Sequence, residues 1–237
     1  MLRATVFDLE DTLIDSGAAW VNTWAAYTAR HGHRWTAVDS AAVHGNDSWS
    51  SYISTLCGGL PASQVARDCS QVMVSALAGG GVRLLPGAAR LTAEAGRYGP
   101  LALVSAGSRR FVQAAVSHFG LADRFRAVVC GEDVSHPRPA PDAYLLAAEE
   151  LGTPAGDCVA VDDSLNGIRS AHAAGMTVLA IPRPGNTLPA DVRTLVLLRA
   201  SDAVEAAALL PLLYRRFDPP RQRKPAAAAV PAAQGAR

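Results

Sequence analysis

Short apolar runs alternate with longer helix-compatible stretches along most of the chain. Runs rich in aliphatic and β-branched residues, typical of buried strands, occupy residues 4–7, 101–104, 127–130, 158–161, 177–181 and, more weakly, 195–198. The stretches 84–95, 111–119, 142–151 and 168–174 each end at or just before a glycine, which terminates helices cheaply. Strands that alternate with helices predict an α/β protein with a mostly parallel, Rossmann-like sheet.

Residues 16–81 interrupt this rhythm. Trp20, Trp24, Tyr27 and His31 recur at helical spacing, and helix-compatible stretches follow up to three consecutive glycines at 79–81. We interpret the segment as a helical cap inserted into the sheet domain. We expect the aromatic side chains to form the core of the cap rather than a substrate surface.

Three segments are therefore predicted. They are a Rossmann-like core of residues 1–15 and 82–214, a helical cap of residues 16–81, and a disordered, basic, Pro- and Ala-rich tail of residues 215–237. The tail holds six basic residues and one acid, so its net charge is +5. Because the whole chain has a net charge of +1, the rest of the chain has a net charge of about −4. A solvated tail is favoured over one that binds nucleic acid or lipid.

The composition indicates an ordinary globular protein, and its overall charge does not point to nucleic acid or a membrane. Four cysteines form no CxxC pair, no signal peptide opens the chain, and no apolar run approaches a membrane span. We therefore predict a cytoplasmic protein with reduced thiols that binds neither nucleic acid nor a membrane.

Polar residues end three of the predicted strands. Asp8 follows the first, Ser105 the second, and Asp162 with Asp163 the strand at 158–161. Ligands of open parallel sheets bind beyond the carboxyl ends of the strands. The sequence therefore predicts a site at this edge of the sheet.

The acids at this edge suit phosphoryl chemistry. Asp8 and Glu10 lie two residues apart, so one carboxylate can attack a phosphoryl group while the other handles protons, although caps and turns use the same residue types. The adjacent acids Asp162 and Asp163 repel each other unless a cation lies between them, and hard oxygen ligands favour Mg²⁺. Helix capping by Asp163 or Ser164 is the alternative, but it leaves Asp162 unexplained.

Four segments together resemble the motifs of the haloacid dehalogenase superfamily. They are FDLEDTL at 7–13, PAPDAYL at 139–145, DDS at 162–164 and AAGM at 173–176. The resemblance spans about residues 5–182 and is closest to the helical-cap subgroup of phosphoglycolate phosphatases and β-phosphoglucomutases.

The resemblance implies a catalytic role for each matching residue. Asp8 would form an aspartyl phosphate, and Glu10 would act as the acid and base. Asp8, Asp163 and the carbonyl group of Glu10 would bind Mg²⁺, with Asp162 binding it directly or through water. The phosphoryl oxygens would be held by Ser105 and the amides of Ala106 and Gly107, with Arg138 as the catalytic cation.

Two of these positions depart from the family pattern. Glu10 stands where the family has Asp, and Arg138 stands where it has Lys; the body of the chain holds no lysine, because Lys224 is the only one. The prediction is a Mg²⁺-dependent phosphatase that hydrolyses a small phosphorylated metabolite through an aspartyl phosphate. The alternatives are a catalytically impaired relative with a binding or regulatory role and a mutase. A mutase is disfavoured because Trp20 and Ser48 replace the cap His and Arg of β-phosphoglucomutases.

Overall fold

The computed structural model describes residues 1–43, 47–183 and 185–217. Its main sheet consists of β1 (Ala4–Asp8), β4 (Leu101–Val104), β5 (Ala127–Val129), β6 (Cys158–Asp162), β7 (Thr177–Ala180) and β8 (Leu198–Arg199). The strand order is β5-β4-β1-β6-β7-β8, and every neighbouring pair is parallel. Strand β1 therefore lies in the middle of the sheet, between β4 and β6.

The strands are apolar on both faces because helices cover both faces. Along β1, Ala4 and Val6 point into one hydrophobic core and Phe7 points into the other, and all three are fully buried. This is the alternation of side chains that a strand imposes. The central strand is thus fixed from both sides, which places its carboxyl end, Asp8, at a rigid position.

Helices of the sheet domain pack in two layers. They are α5 (Ala88–Ala95), α6 (Arg109–His118), α7 (Asp142–Leu151), α8 (Leu165–Ala173), α9 (Ala190–Arg193) and α10 (Ala203–Phe217). Helices α7 and α8 contribute to the core beneath Val6, and α5, α6 and α10 contribute to the core beneath Phe7. The fold is the predicted Rossmann-like α/β sandwich.

The chain leaves the sheet domain and returns to it through two neighbouring strands that flank a helical insert. Strands β2 (Ile14–Asp15) and β3 (Arg83–Leu84) form a short antiparallel ladder. Between them lie α1 (Gly17–Arg30), α2 (Ala37–Val43), α3 (Trp49–Leu56) and α4 (Ala62–Ala78), which we call the cap. The cap rests on the sheet domain mainly through contacts between α4 and α6.

Tryptophans form the centre of the cap. The rings of Trp20 and Trp24 stack at 5.3 Å, and Trp49 and Trp35 lie within 6.0 Å of Trp24. Trp20 and Trp24 are buried, as expected of a cap core, but both also line the cavity that faces the acid cluster, so they are not core residues alone. Trp20 also reaches the sheet domain, where it contacts Phe111 edge-on.

The structure differs from the sequence prediction at some element boundaries. Helix α5 begins at Ala88 rather than residue 84, because Leu84 pairs in β3 and Gly87 adopts φ +89°. The weak sixth strand is shorter and later than predicted, at Leu198–Arg199. Helix α10 continues through Phe217, so the first three residues of the predicted tail are helical, and residues 218–237 lie outside the described part. Among the described residues, no helix is long and apolar enough to cross a membrane.

Candidate active site

The carboxyl ends of two neighbouring strands bring three acids together. Strand β1 ends at Asp8 and β6 ends at Asp162, and the two strands pair in register with Phe7 opposite Val161. Asp163 follows directly. Each of these side chains offers a carboxylate oxygen that lies within 4.8 Å of the other two. The strand pairing therefore creates the acid cluster.

Asp162 is held tightly inside this cluster. Its Oδ1 accepts hydrogen bonds from the amide and hydroxyl of Ser164 at 2.8 and 2.9 Å. Its Oδ2 accepts from the hydroxyl of Tyr144 and, at 3.4 Å, from Nη1 of Arg138. A side chain at Gly167 would overlap this carboxylate, so only glycine allows this approach. Because its oxygens already have these donors, Asp162 has less capacity to bind a cation directly than its neighbours.

Asp8 and Asp163 have more available oxygens. Among the described residues, Asp8 accepts a hydrogen bond from Arg138 Nη1 at 2.8 Å, and Asp163 accepts one from the Thr12 hydroxyl at 3.3 Å and lies 3.4 Å from Nε of Arg183. Burial, followed by the nearby carboxylates, raises the pKa of both Asp8 and Asp163 well above the ordinary 3.8. Clustered, hard oxygen donors of this kind suit a divalent cation such as Mg²⁺, which would offset their mutual repulsion.

Glu10 lies in the turn between β1 and β2, with a partner for each carboxyl oxygen. Its Oε1 accepts a hydrogen bond from the indole of Trp20 in the cap, and its Oε2 lies 3.2 Å from the hydroxyl of Ser105 in the sheet domain. Burial raises the pKa of Glu10, and these two hydrogen bonds partly oppose the rise. A raised pKa is the direction of shift that general acid–base catalysis requires of a carboxyl group.

Arg138 lies in the loop before α7 and is only 9% exposed at its side chain. Besides Asp8 and Asp162, it contacts Asp47 in the cap through Nε at 2.8 Å and Nη2 at 3.2 Å. Burial alone would lower its pKa, but Asp8, Asp47 and Asp162 outweigh that effect and raise it. Arg138 is therefore a permanent cation beside the acid cluster.

The loop after β4 offers donors to an anion. The hydroxyl of Ser105 accepts a hydrogen bond from the amide of Gly107 at 3.0 Å, which orders the turn. Ser108 then caps α6 by accepting from the amide of Phe111. Such a turn at a helix N-terminus presents backbone N–H groups to negative charge.

A cavity of about 580 Å³ opens between the cap and the acid cluster. Its walls include the predicted residues Asp8, Glu10, Ala106, Arg138 and Asp163, together with Trp20, Trp24, Trp49, Asp47, Arg169 and Arg183. Ser105 and Gly107 line an adjoining pocket that shares Ala106 and Arg138 with the first. The structure thus places all the predicted site residues around one region, and the individual roles assigned to them stay predictions.

Several residues of the site were absent from the sequence prediction. Tyr144 lies within the PAPDAYL segment, and Arg183 follows β7 at the same edge of the sheet, so both had a signal in the sequence. Arg183 contacts Asp11 and lies 3.4 Å from Asp163. Asp47 had no local signal, because its partner lies 91 residues away.

The parallel sheet, the inserted cap and the acids at the strand ends define a capped Rossmann-like hydrolase. A family model for haloacid dehalogenase-like hydrolases matches residues 2–175. The chain therefore belongs to the haloacid dehalogenase-like hydrolase family.

Named relatives agree with this assignment. Hexitol phosphatase A of Escherichia coli strain K12 is 34% identical over 78% of this chain and 85% of its own. Protein CbbY of Cupriavidus necator is 31% identical over 96% of this chain and 92% of its own. A crystal structure of a CbbY mutant from Rhodobacter sphaeroides, in complex with xylulose-(1,5)bisphosphate, covers 86% of this chain and 96% of its own, with TM-score 0.75 and 26% identity. These similarities place the chain among the phosphatases of the family.

Proposed function

We propose that the protein is a Mg²⁺-dependent phosphatase that acts on a phosphorylated sugar or sugar alcohol through an aspartyl phosphate on Asp8. The observation that carries the proposal is the environment of Asp8. Its carboxylate lies at the centre of the sheet edge, 2.8 Å from Arg138 and within 4.8 Å of the other two acids.

In the first step, an oxygen of Asp8 attacks phosphorus, and the bond from phosphorus to the ester oxygen of the substrate breaks. The departing oxygen takes a proton from Glu10, a buried carboxyl group whose pKa is raised by that burial. Ser105 and the amides of Ala106 and Gly107 would bind the phosphoryl oxygens, the Ser105 hydroxyl exchanging its bond to Glu10 and the Gly107 amide its bond to Ser105 for the substrate. Arg138 supplies positive charge to the transition state. The products of this step are the free alcohol and phosphorylated Asp8.

In the second step, the now ionised Glu10 removes a proton from a water molecule, which attacks phosphorus and breaks the bond to Asp8. Phosphate leaves and both carboxyl groups return to their starting states. Asp8, Asp163 and the carbonyl group of Glu10 would hold Mg²⁺. The cation would offset negative charge on the acids and the phosphoryl oxygens.

Two features support the substrate class. Relatives act on, or were crystallised with, phosphorylated polyols and sugars, as their names state. The cavity joins an aromatic wall of Trp20, Trp24 and Trp49 to polar groups, which suits a small hydroxylated molecule whose apolar face packs on a ring.

A panel of hexitol, ketose and aldose phosphates, assayed for phosphate release with and without Mg²⁺, tests the proposal. Turnover should require the cation and should vanish in Asp8→Asn, which keeps the size of the side chain but removes the nucleophile. Mass spectrometry of the protein quenched during turnover should find phosphate on Asp8. Isomerisation without phosphate release would indicate a mutase, and no turnover of any ester would indicate a catalytically impaired relative.

A further inference from the structure

Asp47 forms an ion pair that crosses from the cap to the catalytic centre. It lies between α2 and α3, whereas its partner Arg138 lies in the sheet domain before α7. Among the ion pairs of the described residues, this is the one that joins the cap helices to the sheet domain. Both side chains are only 9% exposed, so water screens the pair weakly.

The geometry of the guanidinium group explains what the pair does. Nε and Nη2, which form one edge of the group, contact Oδ2 and Oδ1 of Asp47 at 2.8 and 3.2 Å. The remaining nitrogen, Nη1, points to Asp8 at 2.8 Å and to Asp162 at 3.4 Å. The backbone amide of Arg138 also donates to Asp47, at 3.2 Å. The contact therefore fixes both the rotation of the planar group and the position of its loop.

We propose that Asp47 is a positioning residue, which aims Nη1 of Arg138 at the nucleophile and makes this alignment depend on the cap being closed. The proposal rests on the proposed function, because Arg138 matters only if phosphoryl transfer takes place at Asp8. An ammonium group at position 138 has no second edge and would not need such a partner, whereas a guanidinium group does. Asp47 is thus the feature of this chain that accommodates arginine at the site.

The proposal also gives the cap a part in the chemistry beyond covering the cavity. When the cap moves away, Asp47 leaves with it, and Arg138 keeps only its contacts to Asp8 and Asp162. The guanidinium group is then free to rotate toward the acids and pair with them more closely. Closure of the cap withdraws one edge of the group from the acids and leaves one nitrogen to face the phosphoryl oxygens.

A double-mutant cycle tests this coupling. We would measure kcat and KM for p-nitrophenyl phosphate with Mg²⁺ in the natural protein, Asp47→Asn, Arg138→Lys and the double variant. Asp47→Asn should lower kcat about 10- to 100-fold, the loss expected for a displacement approaching 1 Å, and should change KM less than about threefold. In the Arg138→Lys background, the same substitution should change kcat less than about threefold.

The matched control is Asp68→Asn, the same chemical change at an exposed cap residue that contacts Tyr27, and it should leave kcat unchanged. An equal loss of kcat from Asp47→Asn in both backgrounds, or no loss in either, would overturn the proposal.

A second measurement keeps the test independent of turnover. Thermal unfolding of the same four proteins should show that Asp47→Asn lowers Tm with Arg138 present and lowers it by less than half as much in the Arg138→Lys background. Additive changes in Tm would refute the coupling between Asp47 and Arg138. This outcome would hold even if neither the variants nor the natural protein hydrolysed an ester. Absence of turnover in the natural protein, with coupled Tm values, would instead count against the proposed function alone.

Discussion

Replacing Glu10 by aspartate, the shorter residue that the family pattern has at this position, should slow the enzyme. In this chain, the Glu10 carboxyl group is held between the indole of Trp20 and the hydroxyl of Ser105. Glu10→Asp removes one methylene and withdraws the carboxyl group by about 1.5 Å, the length of one carbon–carbon bond. It then no longer reaches both partners, which lie on opposite sides of the gap between the cap and the sheet domain.

The size of the effect follows from this displacement. A misplacement of about 1 Å costs about 100-fold in rate, or about 2.7 kcal/mol at 1.36 kcal/mol per factor of ten. Glu10→Gln keeps the length and loses the proton, so it should cost about 100- to 10,000-fold, the usual contribution of a general acid and base. Because the withdrawal of about 1.5 Å exceeds 1 Å, we expect kcat of Glu10→Asp to be at least about 100-fold below that of the natural protein.

The assay is steady-state hydrolysis of p-nitrophenyl phosphate at saturating Mg²⁺. Trp20→Phe should lower kcat in the same direction by about tenfold, because it removes one of the two partners of Glu10. Its matched control is Trp35→Phe, since the indole of Trp35 donates to Ser40 within the cap, 2.8 Å away, and has no contact with Glu10. If kcat of Glu10→Asp equalled or exceeded that of the natural protein, the contacts of Glu10 with Trp20 and Ser105 would not support catalysis, and the reasoning would fail.

Three further results are expected. The folded protein binds protons at Asp8 and Asp163 more tightly than the unfolded chain does, because the pKa values of both groups are raised above 3.8. The stability that these protonated groups contribute is fully present below about pH 4 and is lost as pH rises through the raised pKa values. The Tm of protein in EDTA should therefore fall with rising pH, and Mg²⁺ should restore it. A Tm that rises with pH in EDTA would contradict this. Tyr144→Phe removes a buried donor to Asp162 and should lower the free energy of unfolding by about 1–3 kcal/mol, measured with urea; no change would mean that this hydroxyl is dispensable. Tyr214→Phe breaks a 2.8 Å hydrogen bond to the buried Thr5, near the amino end of the strand that ends at Asp8, and should cost about 1 kcal/mol without changing kcat. A lower kcat would show that this end of β1 is coupled to the site.

The sheet was predictable because its strands are buried on both faces. A continuous apolar run such as residues 101–104, placed between helices that end at glycines, has few explanations other than a buried strand. The weak strand was misplaced because β8 is an edge strand of two residues, Leu198 and Arg199, and its exposed arginine breaks the apolar pattern. Local patterns also gave no sign that β3 pairs with β2, since that ladder joins residues about 70 apart.

The site was predictable only as far as its residues follow strands or motifs. Acids at the ends of β1 and β6 had to share an edge of the sheet, but that these strands are neighbours depends on the strand order. The contacts of Asp47 and Trp20 with the centre depend on how the cap rests on the sheet domain, and residue spacing contains no information on that. The contacts of Glu10 with Trp20 and of Arg138 with Asp47 thus become visible only in the folded structure.

The short ladder between β2 and β3 makes the insert modular. Asp15 and Arg83 face each other as paired residues, so the two ends of the insert are already neighbours. A two-residue Asn-Gly turn can join such ends, because it matches the twist of an antiparallel pair. Grafts taken from relatives can therefore be spliced at this point without disturbing the six parallel strands, and selectivity becomes exchangeable as long as the graft also carries counterparts of Trp20 and Asp47, which contact Glu10 and Arg138.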